Sequence, residues 1–223
     1  PVADYFARVR ALCDRDGVLL ILDEVMCGMG RSGTLFAYEQ YGAVPDICAI
    51  AKGLGGGYQP IGAMLCTDAI HDAVAEGAGF FQHGHTYLGH PVACAASLAV
   101  LERLVDQDVL GGVTPGGAHL ESVLHHHLGQ HPHVGDIRGV GLFQGVELVA
   151  DRETKAPFPA EKKLHAKIKK AAFEAGLICY PMGGTIDGKT GDHVLLAPPF
   201  IATNANLEEA ALKLTHAIDV ALH

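Results

Sequence analysis

Asp46-Ile47-Cys48-Ala49-Ile50-Ala51-Lys52-Gly53-Leu54-Gly55-Gly56-Gly57-Tyr58-Gln59-Pro60-Ile61-Gly62-Ala63-Met64 is the stretch from which the rest of the chain is read. Ile47 to Ala51 is short, apolar and β-branched enough for a buried strand, and it delivers one lysine into a glycine-rich bend before a second apolar run, Ile61 to Cys66. A lysine at a strand end with no bulky neighbour after it is costly to desolvate as an ammonium. The position therefore favours a free amine that attacks a carbonyl, the start of Schiff-base chemistry. A surface lysine in a turn is the alternative, since lysine is almost never fully buried.

Upstream, Leu19-Leu20-Ile21-Leu22 is a continuous apolar run of the kind that forms a parallel strand covered on both faces, and it ends in Asp23-Glu24-Val25. Carboxylates at the C-terminal end of such a strand sit where open α/β sheets bind ligands. The acidic pair also fits the metal-holding strand of a P-loop ATPase, but no G-x-x-x-x-G-K-[ST] occurs in the chain. The two strand ends, with Gly28-Met29-Gly30-Arg31-Ser32-Gly33 and Gly84-His85-Thr86-Tyr87-Leu88-Gly89-His90-Pro91 in that order, resemble the class III aminotransferases of the ω-amino acid:pyruvate type. These are pyridoxal-phosphate enzymes of fold type I. The resemblance covers the whole chain as the C-terminal part of a longer family member.

The resemblance implies a role for each motif residue. The lysine matching Lys52 carries pyridoxal 5'-phosphate as a Schiff base and, once freed, moves a proton between substrate and cofactor. The aspartate matching Asp23 pairs with the pyridine nitrogen, where a nearby carboxylate favours the protonated ring that acts as electron sink. Val25, in the same strand register, is expected to press on the ring. Thr86 is expected to reach the phosphate of a neighbouring subunit's cofactor, unless it is an ordinary loop hydroxyl. A homodimer with shared sites follows, passing an amino group from an amine or ω-amino donor to a keto acid such as pyruvate. An aminomutase or decarboxylase of the same family, and a non-catalytic fragment of such an enzyme, are the alternatives.

Family members that grip a carboxylate often carry Arg-x-Ala-Pro-Pro; here Leu195-Leu196-Ala197-Pro198-Pro199 places Leu195 where the arginine stands. An apolar side chain supplies no bidentate fork, so an ω-amine or larger amino donor is expected rather than ornithine or 4-aminobutyrate. Arg31 and Arg138 lie outside motifs tied to chemistry and are expected to form structural ion pairs. The family's own-subunit phosphate loop and ring-stacking aromatic lie upstream of the residues matching Pro1. Residues 1–223 by themselves are accordingly expected to be poorly soluble and inactive.

Composition agrees with a globular enzyme: 223 residues, 49% hydrophobic, 18% charged and a formal net charge of -9. No apolar run approaches the roughly 20 residues of a membrane span, and Pro1 to Gly17 lacks the apolar core of a signal peptide. No basic cluster exceeds Lys162-Lys163 or Lys169-Lys170, so neither membrane nor nucleic acid is an expected partner, and a cytoplasmic location is expected. Cys13, Cys27, Cys48, Cys66, Cys94 and Cys179 show no CxxC spacing and read as reduced, buried thiols. His83, His85 and His90, and the run His125-His126-His127, lack ligand spacing on a defined helix face, and no metal is expected.

The elements alternate. Helices are expected at Asp4 to Asp16, closed by Gly17; at Thr34 to Tyr41; at Asp68 to Ala75, capped by Asp68; and from Pro91 to Val105. With strands at 18–22, 47–51 and 61–66 this predicts an α/β layer with a largely parallel sheet, residues 1–106 forming the C-terminal part of a cofactor-binding large domain. Beyond Asp106, Thr114-Pro115 opens a helix to Leu128 and Ile137 to Val149 reads as one half-buried strand with a glycine bend. Then come a helix at Ala160 to Ala175, strands at Leu177 to Tyr180 and Val194 to Ala197, and a last helix capped by Thr203. Residues 107–223 are expected to be a small α+β domain.

Overall fold

The structure, a computed structural model, describes residues 2–223, which divide into two compact units at Leu110/Gly111. In the first unit, helix α1 (Tyr5–Asp16) stops at Gly17, whose φ of 65° admits the left-handed turn that returns its N–H to the Cys13 carbonyl. Strand β1 (Ile21–Asp23) then pairs in parallel with β2 (Ile47–Ile50), and β3 (Ala63–Cys66) pairs antiparallel with β2 on its other side. The sheet is thus mixed, with one pairing of each kind. Asp46 joins helix to sheet: its Oδ2 accepts the Leu20 N–H at 2.6 Å and the Arg10 guanidinium at 2.8 Å. Helices α2 (Asp68–Glu76) and α3 (Pro91–Asp106) complete the unit, α3 starting on a proline whose missing N–H would have had no helical partner.

The described residues do not supply the two-sided cover expected for the first strand. Val18, Leu19 and Ile21 are 57%, 56% and 61% exposed, and among the described residues β1 has no second neighbour. Asp68 is not the cap of α2 either. Thr67, in extended conformation, holds that position, and Asp68 is the first helical residue.

The second unit is built around a four-stranded antiparallel sheet, β4 (Val134–Val140), β5 (Phe143–Leu148), β7 (Asp192–Leu196) and β6 (Tyr180–Gly183) in spatial order. Helices α4 (Val113–Leu128), α5 (Leu164–Glu174) and α6 (Asn204–Leu222) supply the rest of its core. Strand residues alternate so that Val146, Leu148, Val194 and Leu196 point inward against Leu120, Leu124, Ile168, Leu214 and Ile218. Gly117 permits the close crossing of α4 over the β4–β5 turn, because a Cβ there would overlap the Gly141 backbone.

Several boundaries move for local reasons. The run Ile137 to Val149 is a hairpin rather than one strand, turning at Gly141, φ 57°, between the paired Val140 and Phe143. Helix α4 begins at Val113, so Thr114 and Pro115 lie inside its first turn, where the unbonded N–H positions tolerate proline. Lys163, φ 46°, separates a short 3-10 turn at Ala160–Lys162 from α5. The edge strand sits at Tyr180–Gly183, later than the apolar run at 177–180 indicates. Thr203 caps α6 as expected, accepting the Asn206 N–H, and Arg138 makes its ion pairs with Asp136 at 2.7 Å and Glu147 at 2.6 Å.

Of the six cysteines, all free, only Cys48 is buried; Cys66 and Cys94 are exposed. Burial pushes the Cys48 thiol up to about 11. No helix among the described residues is long and apolar enough to cross a membrane.

Candidate active site

Parallel pairing of β1 and β2 brings two strand C-termini to one sheet edge. The register sets Asp23 opposite Ala49, and Lys52 follows three residues beyond Ala49. β2 ends at Ile50, so Lys52 stands just past the strand end, on the same C-terminal edge as Asp23.

Lys52 opens a 3-10 turn, Lys52–Gly55, at φ 45°. A non-glycine residue in the left-handed region costs free energy that its surroundings must supply, and such residues gather at functional sites. The glycines after it are packing requirements. A Cβ at Gly53 would stand 2.8 Å from the Met29 Cβ, and one at Gly56 would stand 2.8 Å from Val100 Cγ2 on α3. Lys52 itself is exposed, so the described residues do not supply the desolvating walls expected around its amine.

Asp23 is also exposed, and its Oδ1 accepts the Val25 N–H at 3.0 Å. That bond fixes the carboxylate at the strand end, and among the described residues Oδ2 takes no hydrogen bond. Val25 departs from expectation. The strand ends at Asp23, and Val25 lies in the following turn, half-buried, because the Asp23 side chain captures its N–H. Thr86 lies off the sheet, exposed, in a turn of the stretch that leads into α3.

Glu24 has no role in the sequence reading. It is 2% exposed, and its carboxylate accepts the Ala37 N–H at 2.7 Å and the Tyr38 N–H at 2.8 Å, the first turn of the 3-10 helix Ala37–Tyr41. Burial pushes the nearby Cys27 thiol up to about 11, with the Glu24 charge adding to the shift. Arg31 is half-buried in the same loop, and burial brings its guanidinium down to about 10.

The donor set fits pyridoxal phosphate: an exposed lysine amine and an oriented carboxylate with a free oxygen share one edge of an α/β sheet. The sequence profile of the class-III aminotransferases matches residues 1–218, and the chain belongs to that family. It is 44% identical over 219 residues to an aminotransferase of Gibberella zeae, covering 98% of this chain and 43% of that protein. An aminotransferase of Schizosaccharomyces pombe is 46% identical over 222 residues, covering 98% of this chain and 48% of the relative. Among solved structures, an (S)-enantioselective omega-transaminase from Thermomicrobium roseum superposes with a TM-score of 0.90 at 37% identity, covering 100% of this chain and 48% of the other. The fold is that of the fold type I pyridoxal-phosphate transferases, and the chain spans about half the length of the relatives it matches.

Proposed function

We propose that this chain provides the lysine and ring-nitrogen side of a transaminase site that passes an amino group from an amine or ω-amino donor to a keto acid such as pyruvate. The observation that carries this reading is the placement of Asp23 at the C-terminal end of β1 and of Lys52 just past the C-terminal end of its parallel neighbour β2. Pyridoxal phosphate, when bound, supplies an aldehyde for an amine and a ring that takes up the electrons of a breaking C–H bond. Lys52 Nζ would be the amine that holds it and, when free, the base that moves the proton. Asp23 would hold the protonated ring nitrogen through Oδ2, its Oδ1 being taken by the Val25 N–H. Val25 would pack on the ring from the turn, and Thr86 would bind the phosphate of a second subunit's cofactor in a homodimer. Residues 1–106 would serve as the cofactor-binding part and 107–223 as the small domain, a division close to that of the compact units at 110/111.

Leu195 supports an amine donor without a carboxylate at that position. It lies half-buried on β7, in register with Gly145 and Tyr180, and offers no charge to a carboxylate. The reaction type is tested by one turnover with an amine donor and no keto acid, in the loaded enzyme that contains this chain. Release of one carbonyl product per site supports transamination; release of carbon dioxide or a rearranged amine excludes it. Asp23→Asn is expected to keep the cofactor attached and slow proton transfer by at least about a hundredfold, since a neutral amide no longer favours the protonated ring. Unchanged turnover would remove Asp23 from the site.

A further inference from the structure

Glu24 follows Asp23 directly yet is buried while Asp23 faces solvent. Its two carboxylate oxygens are each filled by a backbone donor from one place, Ala37 N–H on Oε2 and Tyr38 N–H on Oε1, with the Cys27 thiol 3.8 Å from Oε2. Leaving such a buried group without its donors is costly, so the pair of bonds closes the loop 25–36 firmly. The loop is further knit by Gly28 N–H to the Glu24 carbonyl and Gly30 N–H to the Leu35 carbonyl. Gly28 is required there, because a Cβ would stand 2.7 Å from the Glu24 carbonyl oxygen.

Within this loop Met29 is 2% exposed and sits at φ 55°, a conformation a long side chain adopts only where its surroundings impose it. It lies against Gly53, the residue after Lys52, at a separation no side chain at 53 fits. Met29, itself in the left-handed region, therefore packs its Cβ against the residue that directly follows left-handed Lys52. Glu24 ties down the loop that carries the first of them.

We propose that Glu24 is a positioning residue for Lys52: by closing the 25–36 loop it seats Met29 against Gly53, and that contact holds Lys52 in its left-handed conformation at the sheet edge. The functional consequence rests on the reading of Lys52 as the cofactor-bearing lysine. The mechanical link does not.

The test is amide hydrogen exchange, read by mass spectrometry on the pyridoxal-phosphate-loaded enzyme that contains this chain, for the unsubstituted protein, Glu24→Gln and Met29→Gly. Glutamine keeps the volume but replaces one acceptor oxygen with a donor. Exchange is expected to quicken at 37–38 and also at 54–56, where Leu54 and Gly56 amides are bonded to Ala51 and Gly53, by about tenfold or more. Met29→Gly is expected to quicken 54–56 alone, leaving 37–38 protected. Both variants are expected to lower kcat several-fold with KM for the amine within about twofold, and to move the pH midpoint of the cofactor's visible absorbance. Faster exchange at 37–38 with no change at 54–56 in Glu24→Gln overturns the proposal, as does an unchanged absorbance midpoint in both variants. Should Glu24→Gln not fold, unchanged exchange at 54–56 in Met29→Gly overturns it equally. If the unsubstituted enzyme shows no lysine-bound absorbance while the exchange coupling persists, the functional reading fails and the mechanical link stands.

Discussion

The two units of the chain bury their apolar residues to very different degrees. In 111–223, one face of an antiparallel sheet and three helices enclose a core in which Leu120, Leu124, Leu214, Ile218 and Val146 are all 0% exposed. In 1–110, the β1 run leaves Val18, Leu19 and Ile21 more than half exposed, and every residue of β3 is exposed. Beside a smaller set of buried residues such as Met29, Ile50 and Leu54, the first unit carries polar anchors: Asp46 between Arg10 and the Leu20 N–H, and Glu24 across its loop. These bonds hold the backbone on either side of the strands that end beside Asp23 and Lys52: Asp46 ties the start of β2 to Leu20, and Glu24 ties the end of β1 to Ala37 and Tyr38.

The contrast is sharpest under large-to-small substitution. In the 1–223 chain, Leu214→Ala or Leu124→Ala is expected to cost about 2–5 kcal/mol, because a closed core leaves a cavity. Ile21→Ala, on an open face, is expected to change stability by no more than about 0.5 kcal/mol. Urea denaturation measures both, and equal costs would erase the distinction.

A smaller effect concerns acid. Asp46 is held below the ordinary carboxylate range first by the Leu20 N–H and then by Arg10. Its stabilisation of the first unit is therefore complete above about pH 4, the unfolded value, and is lost as pH falls through the lower folded value. Asp46→Asn is expected to lower the melting midpoint at pH 7 and to flatten its acid limb. A variant that melts as the unsubstituted chain does at pH 7, with the same acid limb, would show that the anchor is dispensable.

The legibility of the chain follows the same division. Helix ends with strong local chemistry were readable: Gly17 at the end of α1, Pro91 at the start of α3 and Thr203 before α6 each act through one residue's backbone or side chain. The β4–β5 hairpin was not, because Gly141-Leu142 is a weak turn signal inside a continuous apolar alternation. Among the candidate site residues, Lys52 and Asp23 stand out in the sequence as charges that end apolar runs. Glu24 did not, since neighbouring acids look alike in sequence and only the fold turns one outward and buries the other. The strain at Lys52 and Met29 was equally hidden, because left-handed φ angles in non-glycine residues arise from tertiary contact rather than local preference.

The central claim, that the sheet edge exists to present Lys52 to a pyridoxal cofactor, is tested most directly by reducing the loaded enzyme that contains this chain with borohydride and mapping the modified peptide. The account predicts a stable pyridoxyl adduct on Lys52, absent from Lys52→Ala. An adduct on another lysine, or cofactor still trapped covalently in Lys52→Ala, would contradict it.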